Sequence, residues 1–189
     1  FVMMGYRVPN YTSEDSYALD ILDSILSHGK SSRLYQSLVY EQKSSLAVGA
    51  EYSLLQTDPG LFYFYALVSP GQKPEVVEEA LHREIKRLQV DPPTEQELQR
   101  AKNQVEATHI FEQDSNFRHA MLLGQAESVG AGWQKIDQFV ERIRSVTAKD
   151  IQRVARQYLT EDNRTVGTLI PIPLKQPETP PTAAQQGKP

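Results

Sequence analysis

The side chains of this chain that could take part in hydrolytic or metal chemistry are its histidines and carboxylates. It contains no cysteine, and therefore no thiolate nucleophile or thiolate metal ligand. A helical zinc site needs two histidines at i and i+4 with a carboxylate beside them, and no pair here has that spacing. There is no Gly-x-Ser-x-Gly motif and no Gly-rich phosphate loop followed by Lys. We therefore expect structural or exposed roles for all the histidines, which are His28, His82, His109 and His119.

The acidic residues form pairs that are typical of the solvent-facing side of a helix. Glu78 and Glu79 form one pair, and Glu95 and Glu97 form another. Basic residues are interleaved with acids at the i, i+4 spacing that stabilises exposed helix surfaces. These carboxylates are interpreted as solvated faces, and the residues by themselves predict no self-contained active site.

One short stretch, GKSSRLY at residues 29–35, joins an apparent helix to a second one through small and cationic residues. Gly29 is expected to end the first helix, because glycine readily adopts the backbone conformation that follows a last turn. Ser32 can cap the next helix, and Arg33 can reach a carboxylate or a carbonyl across the junction. The residues alone therefore predict a structural corner.

Hydrophobic periodicity predicts the elements that position these residues. Residues 1–8 and 46–54 alternate as strands do, and Leu61–Val68 is apolar on both faces, which predicts a central strand covered on both sides. Asp58-Pro59-Gly60 is a predicted turn. The remaining segments are a helix capped by Ser13 or Asp15, a short helix over about 32–42, a helix opening at Pro74, a helix with a capping box at Thr94–Glu97, helices over about 115–129, 133–144 and 148–159, and a strand over 165–170.

The order of these elements predicts an α+β fold. It would be a two-layer sandwich with a mainly antiparallel sheet and helices packed on one face, in a split βαββαβ plan with inserted helices. We expect one domain over 1–174, since a chain of 189 residues buries one good core. Residues 175–189 are predicted to be a Pro-rich disordered tail or linker. The first residues lie inside a strand pattern, which is more typical of an excised domain than of a native start.

Charge and hydropathy exclude two classes of partner. The net charge is −4, whereas nucleic acid is bound by an excess of Lys and Arg, so no nucleic acid partner is expected. No apolar run approaches the roughly 20 residues needed to span a bilayer. The sequence therefore predicts a soluble chain with no membrane span.

A specific order of short motifs runs through the first part of the chain: Gly5-Tyr6, Leu19, Gly29, Ser32-Arg33-Leu34-Tyr35, Leu38 and Leu46-Ala47. This order resembles the second domain of the pitrilysin and insulinase class of zinc metallopeptidases, which includes the mitochondrial processing peptidases. The later blocks TEQELQRAKNQVEATHIFEQDSNFRHAMLLGQ and VTAKDIQRVARQYLTEDNRTVGTLIP resemble helices and a closing strand of the same class. The resemblance covers about residues 1–172.

The resemblance implies a domain without a zinc site. In this class zinc is bound by an inverted His-x-x-Glu-His motif on a helix of the first domain, and this sequence lacks that motif. The chain would therefore contain no catalytic residue, no metal ligand and no cofactor, and would be inactive alone. Zinc is expected in an N-terminal domain of the same protein. The implied partners are that zinc-binding domain, a second homologous half or subunit, and a peptide substrate enclosed in a chamber.

The resemblance also identifies candidate contact residues. In this class the second domain of the partner half supplies an Arg and a Tyr that polarise the scissile carbonyl. The matching places here hold Val39 and Val48, which cannot donate a hydrogen bond. This departure implies that the chain is the companion domain of the zinc-bearing half. Tyr40 and Lys43 could still replace the Arg and Tyr of the class if the register is shifted.

Two further residues, Arg33 and Tyr35, have two open interpretations. Either Arg33 holds the corner together, or both side chains line the chamber or contact the neighbouring domain. The function has an alternative as well, namely a non-proteolytic scaffold or assembly module, since core subunits of respiratory complexes resemble this class without being peptidases. The cysteine-free chain and Pro-rich tail are compatible with a periplasmic or otherwise exported protein.

Overall fold

The computed structural model describes residues 1–57 and 60–172. Asp58 and Pro59 of the predicted turn and the whole predicted tail at 175–189 lie outside the described residues. The elements in chain order are β1 (Val2–Val8), α1 (Asp15–Ser27), a π-helix (Tyr35–Glu41), β2 (Ser45–Tyr52), β3 (Gly60–Val68), α2 (Pro74–Val90), α3 (Glu95–Gln113), α4 (Asn116–Ser128), α5 (Gln134–Ser145), α6 (Ala148–Tyr158), a 3₁₀ turn (Glu161–Asn163) and β4 (Arg164–Thr168).

The strands form one antiparallel sheet in the order β2-β3-β1-β4. The first strand thus lies beside the last, and Met4 is opposite both Phe64 of β3 and Val166 of β4. Helix α1 packs against β2, α3 and α6. This arrangement confirms the predicted α+β class, and it confirms the predicted interior position of β3.

Within residues 1–57 and 60–172, the helices cover one face of the sheet and leave the other face exposed. Even-numbered residues of β1, such as Met4 and Tyr6, are fully or almost fully buried against them. On the other face, Met3 is 42% exposed, Leu61 50% and Leu67 45%. Among the described residues the prediction that β3 is covered on both sides is therefore wrong. We call this second surface the outer sheet face, defined by Met3, Leu61, Tyr63, Tyr65 and Leu67.

The predicted alternation of β2 is correct only in its second half. Ala50 and Tyr52 are buried as the pattern requires, whereas Leu46 is 58% exposed. A register shift between Ser45 and Ala47 marks a bulge in the pairing with β3. An extra residue in one strand shifts the alternation, so that side chains before the bulge and after it point to opposite faces from those expected of a regular strand. Leu46 therefore points away from the core.

Side-chain caps and a proline mark where several helices begin. Thr94 caps α3 and Thr147 caps α6, each in a reciprocal capping box with the acid three residues later. Pro74 opens α2, where its missing N–H leaves no intrahelical bond unmade. At α1 the N-cap residue is Glu14, and the hydroxyl of Ser13 accepts from the N–H of Asp15 at 3.2 Å.

Candidate functional site

The corner that joins α1 to the π-helix begins at Gly29. Its φ is +80°, the left-handed conformation that glycine adopts at little cost, and it follows His28, the C-cap of α1. The N–H of Ser32 donates to the Gly29 carbonyl at 3.1 Å and closes a turn. The chain is therefore reversed within a few residues, and Arg33 is the first side chain after the turn.

Arg33 directs two donors at one carboxylate of α3. Its Nε donates to Oε1 of Glu97 at 2.9 Å, and its Nη2 donates to Oε2 at 3.0 Å. The two side chains keep only 14% and 23% exposure, so water screens the pair poorly. A planar bidentate pair is stronger and more directional than a lysine contact. Arg33 thus ties the corner to the first turn of α3.

Glu97 completes a small network at that turn. Its Oε2 accepts from the backbone N–H of Thr94 at 2.9 Å and from the Thr94 hydroxyl at 3.0 Å. The hydrogen bond from Arg33 is the main cause that lowers the pKa of Glu97 to about 2, and the Thr94 contacts lower it further. The interpretation of Glu97 as a solvated residue is therefore wrong, because Arg33 and Thr94 enclose its carboxylate.

The helix predicted over 32–42 is mainly a π-helix. Its widened hydrogen bonding continues to the end, where the N–H of Gln42 donates to the Ser37 carbonyl at 3.0 Å. Lys43 follows with a φ of +51°, which costs a non-glycine residue about 1 kcal/mol. The bulge of β2 comes next. Irregular backbone of this kind is frequent at functional sites, and we call residues 35–47 the irregular segment.

The predicted contact residues differ in accessibility. Tyr40, near the end of the π-helix, is 67% exposed, and Lys43, two residues after that helix, is also exposed. Tyr35 is half-buried at its N-terminal end. Val39 and Val48 are half-buried and carry no polar group. The structure therefore separates Arg33, whose donors are engaged by Glu97, from Tyr40 and Lys43, which are accessible.

The outer sheet face carries tyrosines beside glycines. A Cβ placed on Gly49 would lie 2.5 Å from the hydroxyl oxygen of Tyr65, so the Tyr65 ring lies across that glycine. Tyr63 is opposite Glu51 in the register, and the carboxylate beside it raises the pKa of the Tyr63 phenol to about 12. By contrast, a Cβ on Gly5 would meet open space. The face is a shallow, mainly apolar surface with a few polar groups.

A cavity of about 340 Å³, which we call the α1–α3 cavity, lies among α1, α3, α4, α5 and the end of β2. Asp20 and Asp23 line it. Burial raises the pKa of Asp20 to about 7, with a contribution from Glu112, and burial raises the pKa of Asp23 to about 8. One carboxylate oxygen of Asp23 accepts from the Ser27 hydroxyl at 2.9 Å. Acids that are protonated near neutral pH are poor metal ligands but good hydrogen-bond donors.

Sequence reasoning did not identify these two acids. The available signal was the pattern ALDILDSIL, in which acids three residues apart interrupt an otherwise apolar helix. Helix α1 is covered on several sides, by β2, α3 and α6. Asp23 is accordingly buried, at 6% exposure, and Asp20 is half-buried.

The described residues do not form a zinc site. Within 1–57 and 60–172, no group of three or more His, Cys, Asp or Glu side chains could hold a metal ion. His109 is only 7% exposed, and its ring packs against Phe139 with a centroid distance of 4.6 Å. Burial lowers the pKa of His109, as expected for a packed imidazole. In the same part of the chain, no helix is both long and apolar enough to cross a membrane.

Comparison with known families identifies the domain type. Residues 1–105 match the sequence profile of the family described as peptidase M16 inactive domain. The chain belongs to this family. The resemblance to a non-zinc-binding domain of zinc metallopeptidases is thereby confirmed, and the family description as an inactive domain agrees with the non-catalytic role that the resemblance implied.

Two curated relatives of the M16 inactive domain are zinc proteases. PqqE of Helicobacter pylori is 27% identical over 171 residues, which cover 90% of this chain and 38% of that protein. An uncharacterised zinc protease of Streptomyces coelicolor is 29% identical, over 84% of this chain and 34% of that protein. The chain therefore spans little more than a third of the length of these relatives.

A solved structure has nearly the same extent as this chain. It is the inactive peptidase domain of a candidate zinc protease from Bordetella parapertussis. The two agree with a TM-score of 0.84 at 29% identity, over 96% of this chain and 94% of that chain. A similar domain thus folds and crystallises without further sequence, so experiments on the isolated M16 inactive domain are practicable.

Proposed function

We propose that this M16 inactive domain is the non-catalytic, C-terminal-type domain of a zinc metalloendopeptidase and completes the chamber that encloses the peptide. The main support for the proposal is the family match, together with the share of the relatives' length that the chain covers. The inactive domain accounts for little more than a third of relatives named zinc proteases. The remaining length of such proteins is sufficient for a zinc-bearing domain of similar size.

On this proposal the zinc belongs to an N-terminal domain of the same protein, which carries the His-x-x-Glu-His motif. A second homologous half or subunit closes the chamber, and the protein belongs to the pitrilysin and insulinase class. A periplasmic or otherwise exported location is part of the same proposal, and its support is the cysteine-free composition. The role of the present domain is to support the zinc-bearing domain and to form one wall.

The outer sheet face is the surface that we assign to the chamber wall. It exposes Met3, Leu61 and Leu67 on regular strands, which hold side chains rigidly. Exposed apolar surface on an ordered sheet is typical of a surface that contacts another polypeptide. Tyr40 and Lys43 are the accessible polar candidates for contacts with peptide or with the neighbouring domain.

Zinc content and peptide cleavage test the proposal directly. Both are measured for the isolated chain and for the full-length protein under identical conditions, with a quenched fluorescent peptide as substrate. We expect zinc and cleavage only in the full-length protein. Absence of both from the full-length protein, even with its partner subunit present, would favour the non-proteolytic scaffold. Stoichiometric zinc in the isolated chain would contradict the assignment of zinc to another domain.

Substitutions at Tyr40 and Lys43 test the contact residues separately. In the full-length enzyme, Tyr40→Phe and Lys43→Ala are expected to lower kcat/KM for peptide about 3- to 10-fold, the loss of one hydrogen bond or charge contact. The matched control is Lys149→Ala, at an exposed position on α6. Unchanged kcat/KM in both variants would remove these residues from the chamber.

A further inference from the structure

Helix α4 is poorly buried for its composition. Of its 13 residues only Ala126 is buried. Phe117 is 75% exposed and Met121 is 59% exposed, and Phe111 in the last turn of α3 is 69% exposed. Large apolar side chains at these exposures are unusual in a helix of a soluble domain, where the outward side is normally polar.

The exposed large apolar residues of α4 lie in the N-terminal half of the helix. Phe117 and Met121 are four residues apart and so lie on the same side of α4. The opposite end is attached to the domain, because Gln125 Nε2 donates to the Leu55 carbonyl at 2.8 Å and Tyr11 Oη donates to the Val129 carbonyl at 2.6 Å. We define Phe111, Phe117 and Met121 as the α4 surface.

A comparison with α6 shows what α4 lacks. Helix α6 has 11 residues and buries Ile151, Val154 and Ala155 on one side, with charged residues on the other. In proteins, most of the stability of a short helix comes from packing of its apolar side, since isolated helices below about 12–15 residues are marginal in water. Within the described residues, Ala126 of α4 is buried and Leu122 lines the α1–α3 cavity, whereas Phe117 and Met121 remain exposed. An exposed apolar side of this kind is typical of a surface that contacts another polypeptide.

We propose that the α4 surface docks into an apolar groove of the zinc-bearing domain of the same protein. This inference rests on the proposed function, because it requires that such a domain exists. The chemistry of the helix agrees with an apolar groove, since its sequence NFRHAMLLGQAES contains only Arg118 and Glu127 as permanently charged residues.

The size of the surface favours a covalently linked domain over a second copy of this chain. Its three side chains expose roughly 400 Å² in total, taking about 200 Å² for each complete side chain. A stable interface between separate proteins buries about 800 Å² on each partner. A smaller surface is sufficient between domains of one chain, because the linkage maintains a high effective concentration.

Hydrogen exchange in the full-length protein tests the inference. Exchange of the amides of residues 116–128 is compared between the isolated chain and the full-length protein, and we expect it to be at least 10-fold slower in the full-length protein. The double substitution Phe117→Ser with Met121→Ser is then made in both proteins and is expected to remove most of this difference. The control, Val76→Ser with Val90→Ser on α2, removes apolar groups that are 40% and 68% exposed and is expected to change the difference less than 2-fold.

Each other outcome has a defined meaning. Equal exchange of α4 in the two unmodified proteins, or a difference that the α4 variant leaves unchanged, would overturn the docking inference while leaving the proposed function intact. A full-length protein without a zinc-bearing domain would overturn both. Dimerisation of the isolated chain that the α4 variant abolishes would assign the surface to a second copy and overturn the choice of occupant. If the variant does not fold, the exchange comparison on the unmodified proteins still decides.

Discussion

Arg33 is the residue whose substitution separates the two interpretations of the corner. Arg33→Ala removes two charge-assisted hydrogen bonds to Glu97, so we expect the free energy of unfolding of the isolated domain to fall by about 2 kcal/mol. Arg33→Lys keeps the charge but loses the bidentate geometry, so its free energy of unfolding is expected to lie between those of the unmodified domain and of Arg33→Ala. Urea unfolding measures the difference. Full stability of Arg33→Ala with loss of peptidase activity in the full-length protein would instead place Arg33 in the chamber.

The pH dependence of stability provides the control for Arg33. The pKa of Glu97 is lowered from 4.5 to about 2 in the folded state, mainly by the hydrogen bond from Arg33. Its contribution to stability is therefore present above pH 4.5 and is lost as the pH falls towards 2. In Arg33→Ala this loss between pH 4.5 and 2 should be smaller. If the free energy of unfolding fell with pH in the same way in both proteins, the Arg33–Glu97 pair would not stabilise the domain.

Asp23 is expected to have the opposite pH dependence. Burial raises its pKa from 3.8 to about 8, so the folded domain holds the proton more tightly than the unfolded chain. This contribution is fully present below pH 3.8 and is lost as the pH rises to about 8. Asp23→Asn imitates the protonated acid, and we expect it to exceed the original stability by about 1–3 kcal/mol at pH 9 but to match it at pH 4. Asp162→Asn, at an exposed position, is the control. An effect of Asp23→Asn on stability that does not change with pH would contradict the raised pKa of Asp23.

At the scale of the elements, the sheet offers a matched pair of glycines. A Cβ on Gly49 would lie 2.5 Å from the Tyr65 hydroxyl, whereas a Cβ on Gly5 would meet nothing within 4 Å. Gly49→Ala is therefore expected to destabilise the isolated domain by about 1 kcal/mol through displacement of the Tyr65 ring. Gly5→Ala is expected to stabilise it by about 0.5 kcal/mol, because alanine restricts the unfolded chain. Thermal unfolding of both variants checks the difference, and equal effects would show that Tyr65 does not hold its position over Gly49.

At the scale of the whole molecule, the outer sheet face should matter for activity and little for folding of the isolated domain. Leu61→Lys with Leu67→Lys places charges on side chains that are 50% and 45% exposed, so we expect a stability change within about 1 kcal/mol. In the full-length enzyme the same substitutions are expected to lower kcat/KM for peptide about 10-fold, because the charges lie on the proposed chamber wall. Val90→Lys on α2 is the control. Full activity of the double variant would remove this face from the chamber.

The sequence by itself determined the features that depend on neighbours along the chain. Capping boxes, the turn at Gly29 and the apolar stripes of the helices act over a few residues, so their chemistry can be identified before the fold is known. The order of motifs from Gly5 to Ala47 was sufficient for the family, because it records a whole pattern of elements rather than one contact. The non-catalytic role was implied by that resemblance together with the absence of the inverted His-x-x-Glu-His motif from the sequence.

Only the tertiary structure decided the features that depend on distant partners. Arg33 and Glu97 are 64 positions apart, and periodicity assigned Glu97 to solvent because the local helix pattern contains no information about the corner packed on it. The bulge at Ser45–Ala47 reversed Leu46 through its pairing with β3. Which side of the sheet and which side of α4 the other described elements leave exposed depends on how the layers assemble, because burial is a property of the assembled layers rather than of any one segment.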